Sequence, residues 1–264
     1  MKLHVIKIGG NVIDHKENLN HFTEELAGIK EPFVLIHGGG KLASGMSARL
    51  GIEPKLHEGR RITDAETLDV VTMVYAGLVN KRIVARLQFL GCNAIGLCGA
   101  DANLMPARKR EHPQIDFGFV GDPNPEMLNR DLLNLFLRSG LYPVIAPLTH
   151  DTQGNLLNTN ADTIASCIAM SMAKEHEVYL HFCFEKAGVL RDVNQDDSII
   201  PEITPGEYAL LKKDGIISDG MIPKLDNAFA AINAGVKQVS ILHALQIRSF
   251  IVENGHNGTR IYAQ

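Results

Sequence analysis

With 264 residues, 45% of them apolar and 21% charged, the chain has the composition of a soluble globular protein and room for a substantial core. A formal net charge of −4 excludes the basic footprint of proteins that neutralise nucleic-acid backbones. No apolar run approaches the ~18 residues a membrane helix needs, and Asp14, Glu17 and Glu24 behind the first strand-like run exclude a signal peptide. Cys92, Cys98, Cys167 and Cys183 form no CxxC pair; they read as reduced core or near-core residues of a cytoplasmic protein, not as a metal site.

In chain order, the first β-rich run is Leu3–Ile8, which ends in Lys7-Ile8-Gly9-Gly10-Asn11. Glycines after a strand leave backbone N–H groups free to approach an anion, and the lysine adds a full positive charge. The same residues also suit a purely structural strand-to-helix turn. A second run, Phe33–Ile36, leads into His37-Gly38-Gly39-Gly40-Lys41. Three successive glycines are entropically costly to order, so a fold uses them where backbone touches a ligand, and the next helix would offer its N-terminal N–H groups to an anion. A Walker A loop is excluded, because Leu35 and Leu42 stand where glycine and Ser or Thr are required. Gly38-x-Gly40-x-x-Ala43 fits the dinucleotide fingerprint, with Glu58 near the ribose position, which leaves a nicotinamide-dependent oxidoreductase as an alternative. His37 reads as a packed loop residue with no chemical role.

Thr63 and Glu66 have capping-box spacing, and the helical pattern behind them runs to about Gly91. Strands are expected at Asn93–Leu97 and Tyr142–Pro147. Hairpins are expected over about Met105–Val120, which holds Arg108, Lys109 and Arg110, and over Thr149–Leu157 around Asp151-Thr152-Gln153-Gly154. Gly140 and Gly235 each follow a helical pattern where a left-handed terminator is wanted. Asn158-Thr159-Asn160-Ala161-Asp162 opens a helix that includes Ile164–Met170. An Asn cap explains part of that segment, but two amides and a carboxylate in alternation also gather donors and an acid at one helix mouth.

Val178–Phe184 and Gln238–Leu242 complete the expected strands. Between them, Thr204-Pro205-Gly206-Glu207 combines a cap, a proline at the first helical position and an acid three residues after the cap. Ser218-Asp219-Gly220-Met221-Ile222-Pro223-Lys224 precedes an alanine-rich helix. Lys224 is either a solvated helix-start residue or, since a cation there opposes the helix dipole, the partner of a bound anion. The alternation of strands and helices predicts the α/β class, with a mainly parallel sheet covered on both faces. The chain shows no internal repeat; a functional boundary near 155–175 would divide two lobes.

Together, KIGGN, HGGGK, GRRIT (Gly59–Thr63), LNTNAD (Leu157–Asp162) and SDGMIPK (Ser218–Lys224) resemble the acetylglutamate kinases of the amino-acid kinase family in order, spacing and length, over nearly the whole chain. The resemblance implies an open three-layer αβα sandwich with a mainly parallel central sheet, a single domain over 1–264. Its approximate lobes would be 1–160 for the acylglutamate and 161–264 for ATP. The implied activity is ATP-dependent phosphorylation of the side-chain carboxylate of an N-acyl-L-glutamate, a step of arginine biosynthesis. Lys7 and Lys224 match the catalytic lysines on either side of the transferred phosphoryl group, and Asp162 the acid that organises them. Gly9, Gly10 and Gly38 would meet phosphate, Gly39 and Gly40 would offer backbone donors at the substrate, and Arg61 and Asn158 would grip it, Arg61 by a carboxylate fork. Gly188, Leu190 and Ser218 would face the nucleotide. Mg2+ would be held mainly by nucleotide and water, with no protein metal site.

By the same resemblance the protein is a cytoplasmic enzyme of small molecules. Because the chain starts at its first strand, without the N-terminal helix of arginine-inhibited, ring-forming members, a homodimer without arginine feedback is expected. Two stretches depart from the family pattern: Glu185-Lys186-Ala187-Gly188-Val189-Leu190 replaces Asp-Val-x-Gly-Val-Leu, and the Phe119–Pro125 connection is shortened. The second, beside Arg108, Lys109 and Arg110, leaves N-succinylglutamate as an alternative substrate. Sibling amino-acid kinases for aspartate, glutamate, carbamate or uridylate, and a non-catalytic binding protein on the same scaffold, are further alternatives.

Overall fold

The computed structural model describes residues 1–192, 194–217, 221–253, 255 and 257–263, and all of Asn11 except its side chain. Strand β1 (Lys2–Ile8) is followed by a short helix α1 (Gly10–Asp14), helix α2 (Lys16–Ala27) and strand β2 (Phe33–His37). Then come helix α3 (Gly40–Arg49), the ribbon of β3 (Leu56–His57) and β4 (Arg60–Arg61), and helix α4 (Ala65–Thr72). A π-helical run, Met73–Val79, joins α4 to α5 (Asn80–Phe89). The middle of the chain holds β5 (Ala94–Leu97), β6 (Ala107–Lys109), β7 (Gly121–Pro123), α6 (Arg130–Arg138) and β8 (Tyr142–Ile145). A hairpin of β9 (Leu148–His150) and β10 (Leu156–Asn158) precedes α7 (Ala161–Met172) and β11 (Glu177–Phe184). The last elements are β12 (Glu202–Ile203), α8 (Pro205–Lys213), α9 (Ile222–Asn233), β13 (Gln238–His243), α10 (Ile247–Val252) and β14 (Gly258–Ile261).

One 8-stranded sheet runs in the order β12-β14-β13-β11-β1-β2-β8-β5. Every neighbouring pair is parallel except β13 and β14. Side-chain alternation builds the layers. In β1, Leu3 and Val5 enter the core shared with α6, α7 and α9, whereas Ile6 and Ile8 enter the core shared with α2, α4 and α5. Strand β2 divides likewise, Val34 and Ile36 to the first and Phe33 and Leu35 to the second. The result is the expected αβα sandwich, buried on both sheet faces. The same parity decides two functional directions: Lys7 shares the face of Val5, toward α7, and His37 shares the face of Leu35, toward α5.

All the strands expected from apolar runs are present, although the one beginning at Tyr142 ends at Ile145. Strand β12, of two residues, is too short to carry a periodic signal, and β14 is a further strand beyond those expected. The expected cap at Thr63 is corrected by one residue: Asp64 is the N-cap of α4 and accepts from the Thr67 N–H. Thr63 is committed elsewhere, exchanging backbone hydrogen bonds with Phe117 and Phe119 and accepting from Asn158. The first hairpin also closes slightly later than expected, with β6 pairing with Gly121–Pro123. Gly140 and Gly235 have φ of 71° and 101°, the left-handed terminators anticipated.

Helix α8 carries the full capping box, with Thr204 accepting from the Glu207 N–H and the Glu207 carboxylate accepting from the Thr204 N–H. Thr204→Ala should therefore lower unfolding free energy by about 1 kcal/mol, measured by urea denaturation. An unchanged midpoint would show that this cap does not hold the helix.

Candidate active site

Strand β1 lies between β2 and β11, and the chain leaves it in both directions along the sheet. Open α/β sheets form a crevice at the carboxyl ends of such strands. Here that crevice is a cavity of about 620 Å3. Its walls include Lys7 from β1, the turns Gly9-Gly10 and Gly38-Gly39-Gly40, Arg61 from β4, Asn158 from β10, Asp162 from α7, Phe184 from β11 and Lys224 from α9.

At the centre, the buried Lys7 ammonium stands 2.7 Å from an Asp162 carboxylate oxygen, a charge contact across the gap between β1 and α7. Asp162 is held there by local structure. Asn160 caps α7, accepting from the N–H groups of Asp162 and Thr163, and an acid in a first turn complements the helix dipole. Both lysines approach the Phe184 ring, with Lys7 Nζ 5.1 Å and Lys224 Nζ 4.2 Å from its centroid. Burial pushes the Lys224 pKa below its ordinary value; Asp162 opposes that shift and the Lys7 charge adds to it. Two ammonium groups and one carboxylate thus face the cavity with net positive charge.

The glycine turns keep this charge accessible. A side chain on Gly9 would place its Cβ 3.8 Å from Lys7 Nζ, in front of the ammonium, while a Cβ on Gly40 would meet nothing within 4 Å. Helix α3 begins at Gly40 with no side-chain cap, so its first N–H groups are open to an anion. On the other wall, Arg61 Nη2 donates to the Gly40 carbonyl at 3.1 Å and to Ser44 Oγ at 2.6 Å, tying β4 to α3. Its Nη1 is buried and has no partner among the described residues, a donor suited to a ligand carboxylate. Asn158 Nδ2 donates to Thr63 Oγ1 at 3.0 Å.

Among the residues expected to act, Lys7, Gly9, Gly10, Gly38, Gly39, Gly40, Arg61, Asn158, Asp162 and Lys224 all line the same cavity. Gly188 and Leu190 do not. A Cβ on Gly188 would stand 2.7 Å from Thr259 Oγ1, so close packing accounts for that glycine, and Leu190 bridges Ile199. Ser218 lies outside the described residues. Lys186, new in its turn, is paired with Asp196 at the surface. Phe184 and Tyr75 also line the cavity, beyond the expected site residues, as does Arg110 of the basic cluster. Phe184 was legible from register: Lys7 pairs with Phe182 across β1 and β11, so Phe184, two residues on, must share the lysine's face.

Fold and cavity together define the class, and the chain belongs to the amino acid kinase family, whose model matches residues 2–243. Within it, the chain is 54% identical over 261 residues to an acetylglutamate kinase of Parabacteroides distasonis, covering 99% of each. It is 53% identical over 263 residues to that of Cytophaga hutchinsonii, again covering 99% of each. Among solved structures, N-acetylglutamate synthase from Neisseria gonorrhoeae, complexed with coenzyme A and N-acetyl-glutamate, superposes with a TM-score of 0.82 at 22% identity. That match covers 99% of this chain and 59% of the synthase. Carbamate kinase from Giardia lamblia bound to AMP-PNP gives a TM-score of 0.68 at 18% identity, covering 100% and 99% of the two chains. These two distant likenesses establish the fold.

The charge arrangement is measurable directly. In a titration followed by NMR of side-chain ammonium groups, Lys224 should lose its proton at a pH below 10.5 in the free protein. Asp162→Asn removes the carboxylate that raises this pKa, so the midpoint should fall further. A midpoint at or above 10.5, or an upward move in the variant, would contradict the geometry described.

Proposed function

We propose that this chain transfers the γ-phosphoryl group of ATP to the side-chain carboxylate of N-acetyl-L-glutamate, giving ADP and an acyl phosphate. The observation that carries the reading is the convergence of Lys7, Lys224, Asp162, Arg61 and open glycine turns in one cavity. The close relatives named acetylglutamate kinase support the substrate.

The chemistry demands little beyond these groups. A side-chain carboxylate with a pKa of about 4.3 is ionised at neutral pH and needs no general base. One of its oxygens forms the bond to the γ-phosphorus as the bond from phosphorus to the β–γ bridging oxygen breaks, and ADP leaves with that electron pair. The barrier is bringing two anions together and stabilising charge on the phosphoryl oxygens, a matter of position and electrostatics. Lys7 contacts the transferred group and Lys224 the leaving side, with Asp162 keeping the ammonium groups apart and aimed. Gly9, Gly10 and Gly38 turn backbone N–H groups to phosphate, and Gly39 and Gly40 do so at the acceptor. Arg61 forks a carboxylate of the substrate, and Asn158 binds the acylamino group. Mg2+ would be held mainly by nucleotide and water and would supply further neutralisation of the phosphates, since the cavity's central carboxylate, Asp162, is already committed to Lys7.

The reading assigns the acylglutamate to residues 1–160, which carry Arg61 and Asn158, and ATP to 161–264, which carry Lys224. It extends to a cytoplasmic homodimer, supported by the sequence resemblance. N-succinylglutamate is not favoured. Arg110 lines the cavity, but its guanidinium is engaged by both oxygens of Asp122, with Nε at 3.1 Å from each, and the relatives' names give the acetyl compound.

Purified protein with Mg-ATP and N-acetylglutamate should form a hydroxamate when hydroxylamine is present, at a rate above that with N-succinylglutamate. No hydroxamate above blank would overturn the assignment. Arg61→Ala should raise KM for the amino-acid substrate tenfold or more, about the worth of a charged hydrogen bond, with a far smaller change for ATP. A larger effect on ATP would place Arg61 in the other half of the cavity.

A further inference from the structure

The second glycine turn is held by a chain of donors and acceptors, buried at His37 and Asn80, for which the mechanism above has no use. His37, wholly buried at the end of β2, lies with Nδ1 2.7 Å from the carbonyl oxygen of Gly38. Its Nε2 is 3.2 Å from Asn80 Nδ2, which is also 2.9 Å from the Val144 carbonyl oxygen. Lys81 Nζ donates to Asn80 Oδ1 at 3.1 Å and to the Gly96 carbonyl at 2.9 Å. The partners leave one consistent assignment. A carbonyl only accepts, so Val144 fixes the Asn80 amide with its nitrogen inward, and Asn80 donates to His37 Nε2. His37 then carries its proton on Nδ1 and donates to Gly38. Burial keeps the ring neutral, with its pKa lowered to about 4.

A second contact fixes the same turn from above. Gly39 has φ of 153°, and a Cβ there would stand 2.9 Å from the Tyr75 ring, so the ring packs directly on its backbone. Tyr75 and Asn80 are five residues apart. In an α-helix, steps of about 100° would set them roughly 140° apart, on different faces. The π-helical run Met73–Val79 closes hydrogen bonds at five residues, and the Asn80 N–H reaches the Tyr75 carbonyl, stacking the two on one face.

We propose that His37, oriented by Asn80, and Tyr75, brought beside it by the π-helical run, are positioning residues that lock the Gly38–Gly39 peptide with its Gly39 N–H toward the cavity. In a trans peptide the carbonyl and the N–H point opposite ways, so gripping the Gly38 oxygen on the buried side turns the Gly39 donor out. Gly39 lines the cavity, and its N–H makes no hydrogen bond to the described residues. The donor is thereby set before substrate arrives and needs no reorganisation during transfer. This inference rests on the phosphoryl-transfer reading for its effect on rate, but not for the geometry of the ring.

Two variants separate positioning from packing. An Asn side-chain amide can occupy the place of Nδ1 and still donate to the Gly38 oxygen, whereas a Gln amide reaches only the place of Nε2. His37→Gln should lose kcat by at least about tenfold, up to the ~10²–10³ that outright loss of such a donor costs, with KM for either substrate changed less. His37→Asn should recover most of that loss, although both variants disturb packing and should show similar falls in Tm. Equal kcat in the two variants would overturn the proposal, whether both are impaired or both are unimpaired. Independently of turnover, 15N shifts of the His37 ring should report the Nδ1–H tautomer, and an Nε2–H tautomer would also overturn it. If the wild-type protein forms no acyl phosphate, the functional reading fails while the tautomer result still judges the geometry.

Discussion

Lys7 sits at the centre of an eight-stranded sheet with almost none of its surface in water, and its ammonium is set against the Asp162 carboxylate there. An unpaired ammonium in so dry a place would cost several kcal/mol, so β1 and α7 cannot take their places independently. The strand must deliver Lys7 on the α7 face, which its alternation with Leu3 and Val5 does. The helix must begin where its first turn meets the strand's end, which the Asn160 cap does. Lys224 then stands against Phe184 under the opposing influences of Asp162 and Lys7. Among the described residues, Asp162 thus stands against two cations at the cavity's centre.

The helix mouths around this centre are treated unequally. Helix α7 satisfies its own first N–H groups through Asn160, so it offers a carboxylate and few free donors. Helix α3 has a glycine at its N-cap and no side-chain substitute, so its donors are open toward the cavity. Arg61 crosses to the first turn of α3 and, among the described residues, keeps one nitrogen unpartnered. These are the features of a site built to receive negative charge at several points.

Much of this was legible in the residues. Strand–helix alternation gave the sandwich, and the glycine turns after the first two strands marked the carboxyl edge where the cavity lies. What escaped reading has physical causes. Thr63 with Glu66 and Asp64 with Thr67 are equally good local caps one residue apart, and only the tertiary use of Thr63 by Phe117, Phe119 and Asn158 decides between them. Gly188 looked like a ligand-facing glycine because the sequence cannot distinguish room for a ligand from room for the Thr259 hydroxyl. The π-helical run has no compositional mark, and His37 gains a purpose only when Asn80, 43 positions away, is seen to meet it. Local chemistry was readable; partners supplied by other elements were not.

On the proposed function, Asp162 serves catalysis by organising two lysines, and single-turnover transfer from γ-labelled ATP to N-acetylglutamate measures that role. With Asp162→Asn, the transfer rate should fall by at least ~10²-fold while ATP affinity changes far less, because the loss falls on the transition state. Transfer at the wild-type rate in that variant would contradict the account.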